Sequence, residues 1–152
     1  MRRRDFIKKS SILTTGVAIT GISSLFTQNC SSQKTPFNIS LAEWSLHRTL
    51  RSNDIDHLDF ITLTRTRFNI DAVEYVNTFF FDKAENKDYL NQMNQRASDH
   101  EIKNLLIMCD AEGDLGDPND LKRIKSVENH FKWVDAAKYL NCHSIRVNAR
   151  SV

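Results

Sequence analysis

Apolar positions along this chain fall into two rhythms. The run Leu105-Leu106-Ile107-Met108-Cys109 is continuously apolar and stops abruptly at Asp110-Ala111-Glu112-Gly113-Asp114. That pattern predicts a strand buried on both faces of a parallel sheet. Further strands are predicted at Phe37 to Trp44, Ala72 to Val76 and Ser144 to Asn148. Between them the apolar residues recur every three or four positions. Ile55, Leu58, Phe60, Ile61 and Leu63 form one such face, with Ser52 or Asn53 as its cap and Asp54 and Asp56 at its positive end. Leu90, Met93 and Ala97 mark a second helix from about Asn86 to Asp99. A long third helix opens after the turn Asp117-Pro118-Asn119-Asp120 and stops at Asn141. Its predicted buried face is Leu121, Ile124, Val127, Phe131, Val134, Ala137 and Leu140.

Strand and helix therefore alternate in units of a few tens of residues, which predicts an α/β fold of parallel strands joined by right-handed crossovers. Four such strands are half of an eight-stranded (β/α) barrel. The chain ends at Ala149-Arg150-Ser151-Val152, just after the fourth strand, so the expected architecture is a TIM-barrel type truncated after that strand. In such sheets ligands gather at the C-terminal ends of the strands, where loops vary without disturbing the core. Asp110, Glu112, Asp114 and Asp117 stand there, either to hold a cation or hydroxyls or as a solvated turn.

Charge changes the picture at the amino terminus. Of 21 Lys and Arg and 19 Asp and Glu, residues 1–30 hold 5 and 1, so the remaining body carries 16 against 18. A mildly acidic body lacks the basic patch that phosphate backbones require, and no nucleic-acid partner is expected. The order Arg3-Arg4-Asp5-Phe6-Ile7-Lys8, ahead of the weakly apolar stretch Ile12 to Phe26, resembles a twin-arginine export signal. Export would deliver the chain to the periplasm. Cys30 stands where a lipoprotein cysteine would be acylated, giving a membrane anchor; Thr27-Gln28-Asn29 before it is not the Leu-small-small run of such a site, and plain cleavage nearby is the alternative. Residues 1–30 thus read as the signal, 31–36 as a tether and 37–152 as the folded domain. Cys109 and Cys142 suggest neither a disulfide nor a zinc site.

The residues now carry a family likeness. Ile39-Ser40-Leu41-Ala42-Glu43-Trp44-Ser45-Leu46-His47, Val73-Glu74-Tyr75-Val76-Asn77, Leu106 to Gly113 and Ser144 to Asn148 resemble the first four strands of sugar phosphate isomerase/epimerase proteins. These belong to the xylose-isomerase-like TIM barrel superfamily. The resemblance implies proton transfer next to a carbonyl, with Mn²⁺, Mg²⁺ or Zn²⁺ clamping the substrate oxygens. It also implies that the metal ligands and catalytic glutamates lie on later strands. No metal ligand or catalytic residue is therefore assigned, no cofactor is expected for this fragment alone, and the fragment is expected to be inactive by itself.

What remains is a pocket wall for a sugar or polyol. Glu43, Trp44 and His47 leave the first strand, Glu74 and Asn77 the second, Cys109, Asp110 and Glu112 the third, and Asn148 and Arg150 the fourth. His57, His100, His130 and His143 are expected at the surface. The competing readings are a non-catalytic sugar-binding protein and a half-barrel that assembles with itself or with a separate second half.

Overall fold

The computed structural model describes residues 37–151, so the predicted export signal, Cys30 and the tether lie outside the described residues. Four strands, β1 (Leu41–Ala42), β2 (Ala72–Val76), β3 (Lys103–Met108) and β4 (Ser144–Arg146), form one sheet in the order β1-β2-β3-β4. Every pairing is parallel. Between the strands run helices α1 (His47–Arg51), α2 (Asp59–Phe68), α3 (Lys87–Asp99) and α4 (Asp120–Tyr139). The fold class is therefore α/β, with neighbouring strands joined through helices, as the alternating rhythms predict.

One face of the sheet meets the helices. Val73, Tyr75, Ile107 and Cys109 pack in a single core with Phe60 and Ile61 of α2, Leu90 and Met93 of α3, and Trp133 and Ala136 of α4. Each large side chain sealed there contributes roughly 1.5–3 kcal/mol. Asn104 pins the start of β3 to the end of α4. It donates to the Leu140 carbonyl at 2.8 Å and accepts from the Tyr75 hydroxyl at 2.6 Å.

The other face corrects an expectation. Glu74, Leu106 and Ser144 lie in register across it, as do Val76, Met108 and Arg146. Leu105, Leu106 and Met108 are only half-buried, and Ser144 and Arg146 are exposed. Continuous apolarity in β3 thus marks a strand covered by helices on one side only, among the described residues.

Three further boundaries differ from the sequence reading. The first strand, predicted from Phe37 to Trp44, pairs only at Leu41–Ala42, because the chain coils into a 3-10 turn at Glu43–Leu46 and then into α1. Asn53, in the left-handed region at φ 58°, closes α1 rather than opening α2. Asp56 takes the opening role by accepting from Leu58 N at 2.8 Å. The caps Asn86 and Asn119 do accept from Tyr89 N and Lys122 N, and Asn141 follows α4 at φ 59°.

The largest correction is the orientation of α4. Leu121, Ile124, Val127, Phe131 and Val134 are all exposed, while Ser126, His130, Trp133, Ala136, Ala137 and Leu140 are buried. Small residues on the inner face let the helix approach the sheet closely. The loop after β3 also presses on the helix, since a Cβ at Gly113 would stand 2.2 Å from Ser126 Oγ. His57 and His130 are likewise buried rather than at the surface; His100 is half-buried and His143 exposed. No helix among the described residues is long and apolar enough to cross a membrane.

Candidate functional site

The C-terminal ends of the four strands are joined side to side by polar contacts. Glu43, one residue past β1, turns inward and accepts from Val76 N at the end of β2 at 2.8 Å. Asn77, the next residue, spans to the end of β3: its Nδ2 donates to the Asp110 carbonyl at 2.9 Å and its Oδ1 accepts from Asp110 N at 2.8 Å. Asp110 Oδ1 accepts from Asn148 Nδ2, beyond β4, at 2.7 Å, and Arg146 Nη1 stands 3.7 Å from the same oxygen. Four of the predicted residues, one from each strand end, thus form a continuous row.

The other predicted residues lie apart from that row or beside it. Trp44 and His47 stack at 4.8 Å with 11° between their planes, Arg51 sits over the indole at 4.9 Å, and Phe79 tilts against it at 6.3 Å. The indole thus lies at the surface with an imidazole and a guanidinium against its ring. Glu74 lies on the uncovered sheet face, where it accepts from Ser40 Oγ. Glu112 is buried, held by Trp133 Nε1 and by Lys132 Nζ at 3.0 Å. Cys109 is buried, and burial pushes its thiol up to about 12. Cys142 is pushed up to about 12 in the same way, and both are free thiols.

A polar cavity of about 300 Å³ opens beside the row, lined by Asp110, Glu112, Asp114, His130, Asn148 and Arg150 among others. The loop that forms it is tied down at both ends. Gly113 adopts φ 99° against α4, and Gly116 N donates to the Arg150 carbonyl at 2.8 Å. Among the described residues no three of His, Cys, Asp and Glu converge as a metal-ligand set. Asp110 is engaged by Asn148 and Arg146, Glu112 by Trp133 and Lys132, and Asp114 by Arg150 at 3.2 Å. The divalent metal implied by the resemblance does not fit these residues on their own.

Behind the row lies a feature that sequence reading missed. The fully buried Glu43 has its Oε1 3.2 Å from His57 Nε2, and His57 Nδ1 is 2.7 Å from the Tyr89 hydroxyl. The imidazole stacks against Phe80 and Tyr89. Burial raises the Glu43 carboxyl well above its usual 4.5, partly offset by the Val76 N–H. Burial also lowers His57 from 6.5 to about 4, opposed by the charge of Asp56. Burial thus favours the neutral form of both groups, which puts the proton of the folded pair on the Glu43 carboxyl.

The sign of the pH dependence follows from counting protons. Between about pH 4.5 and about pH 6.5 the unfolded chain also holds one proton on these two groups, so their contribution to stability is level. Above that window the unfolded histidine loses its proton while the folded pair keeps its own. Stability then falls by up to ~1.4 kcal/mol per pH unit until Glu43 ionises. Below pH 4.5 the unfolded chain takes up a second proton, and stability falls again over the short span down to the folded-state value of His57. Urea unfolding from about pH 5 to about pH 9 should show this alkaline decline in the wild type and its absence in Glu43→Gln. Equal slopes in the two proteins would contradict a Glu43 carboxyl kept protonated by burial.

The sequence carries little trace of the missed residues. Past its first turn, α4 carries its charges at Lys125, Glu128, Lys132, Asp135 and Lys138, whereas Ser126, His130, Trp133, Ala137 and Leu140 form an uncharged line at three-and-four spacing. The exposed stripe Leu121, Ile124, Val127, Phe131 and Val134 is uncharged as well, so charge does not choose between the two faces. The chain matches no protein-family model and no curated protein.

Proposed function

We propose that this chain is the first half of a TIM-type barrel whose strand ends bind a sugar or polyol, within an isomerase- or epimerase-like protein of the xylose-isomerase-like superfamily. The observation that carries the reading is the row Glu43, Asn77, Asp110 and Asn148, one polar side chain from each parallel strand end. Support comes also from the sheet order, the one-sided helix cover and the aromatic platform of Trp44 and His47. The reading includes export, motivated by Arg3-Arg4-Asp5-Phe6-Ile7-Lys8, with Cys30 as an acylation or cleavage point.

Proton transfer beside a carbonyl needs an acid or base free to reach the substrate and a charge clamp on its oxygens. The strand-end carboxylates here are already engaged by partners, so the 152-residue chain serves as a binding wall. The test is calorimetric titration with a panel of ketoses and inositols, together with hydrogen exchange from deuterated water. Binding without exchange is expected, about tenfold weaker in Asn148→Ala, which removes one exposed donor worth roughly a kcal/mol. Failure of every panel member to bind would sink the sugar reading.

A second reading, half-barrel assembly, is favoured by the exposed stripe Leu121, Ile124, Val127, Phe131 and Val134 beside the sheet edge at β4. Such a face drives association in water. Sedimentation should then show self-association of the wild type that Ile124→Lys reduces; a monomer at all concentrations would leave the first reading alone.

A further inference from the structure

The cavity beside the strand-end row has a chemistry narrower than a general sugar site. His130 is 7% exposed, and its Nδ1 lies 2.6 Å from the Ser126 carbonyl, which can only accept. That bond fixes the proton of the neutral ring on Nδ1 and leaves Nε2 as a lone pair. Nε2 has no partner among the described residues, and the ring lines the cavity. An acceptor nitrogen held so rigidly against a polar space is matched by a ligand hydroxyl.

The surrounding charges say which hydroxylated ligand. Each cation near the cavity already has its own carboxylate: Arg150 with Asp114, Arg146 with Asp110, and Lys132 with Glu112. Among the described residues no cation is left over for a phosphate there, and the phosphate would meet three acids. The remaining groups, Asn148 as donor and the carboxylate oxygens and His130 Nε2 as acceptors, suit hydroxyls that both donate and accept. A volume of about 300 Å³ is at the small end for a ligand site.

We propose that this cavity holds a neutral polyhydroxylated small molecule, and that His130 Nε2 accepts a hydrogen bond from one of its hydroxyls. The proposal deepens the reading above and rests on it in placing the ligand at the strand ends. It departs from a sugar phosphate as ligand, and His130 acts in it as a binding residue.

The experiment is nitrogen NMR on the full chain labelled in histidine and backbone amides, titrated with D-fructose and separately with fructose 6-phosphate. The expected result is an Nε2 resonance of lone-pair type in the free protein that shifts as fructose binds. The His130→Asn variant should bind fructose at least tenfold more weakly, because its amide can still donate to the Ser126 carbonyl while the shorter side chain puts no acceptor at the position of Nε2. Should that variant fail to fold, the wild-type Nε2 shift decides alone. If fructose moves the amides of Asn77, Asp110 and Asn148 but not Nε2, the role of His130 is overturned and the strand-end reading stands. If fructose moves none of them, both fall. Tenfold tighter binding of the phosphorylated sugar would overturn the neutral ligand.

Discussion

Ile107→Asp is expected to leave no cooperatively folded protein. Ile107 sits mid-strand in β3, paired with Tyr75 on one side and Ile145 on the other, and is fully sealed from solvent on the helix-covered face. No cation of the core stands ready to receive a carboxylate, since that cluster is apolar apart from the tyrosine hydroxyl. An unpaired buried carboxyl costs several kcal/mol even when it neutralises by taking up a proton. Total stability of a domain this size is about 5–15 kcal/mol, so the substitution consumes most of it. Leu106→Asp is the matching control. One residue along a strand points to the opposite face, and Leu106 lies half-buried on the uncovered side, in register with Glu74. Circular dichroism and limited proteolysis should show Leu106→Asp folded and Ile107→Asp not. An Ile107→Asp protein with wild-type protease resistance would refute the assignment of the covered face.

Which parts of the fold were legible follows from what each part depends on. Ala72–Val76 and Lys87–Asp99 were readable because their determinants are local: a short run of buried residues, and a side-chain cap at Asn86. The first strand was not, because Glu43 bends the chain inward to reach Val76 N and His57, and both partners are distant in sequence. The strand-end row was legible for a topological reason. Parallel strands put all their C-terminal ends on one edge, so Asn77, Asp110 and Asn148 had to be near one another before any contact was known. His130 was hidden because its position depends on how α4 is rotated, and that rotation is set by Gly113 pressing on Ser126 and by Glu112 capturing Trp133. Neither contact leaves a periodic trace in the apolar residues.

The rotation of α4 can be tested by two substitutions two residues apart. Trp133 is fully buried, meets Phe80 edge-on at 5.2 Å and donates its indole N–H to Glu112. Phe131 is 58% exposed on the outer stripe. Trp133→Ala should cost about 3–5 kcal/mol through the lost burial and the cavity left behind. Phe131→Ala should stay within about 0.5 kcal/mol of the wild type in the monomeric chain. Trp133→Phe separates the two roles of the indole. It keeps most of the aromatic packing but takes from the buried Glu112 its neutral donor, leaving Lys132 alone to hold that carboxylate. An intermediate loss of about 1–3 kcal/mol is expected, the cost of a buried acceptor losing one partner. Denaturant midpoints measured at dilutions where the chain is monomeric give all three values. A Phe131→Ala loss equal to that of Trp133→Ala would mean that the apolar stripe, not the uncharged line, faces the sheet. His130 would then turn away from the cavity, and the loop carrying Asp110 and Glu112 would lose its seat on α4.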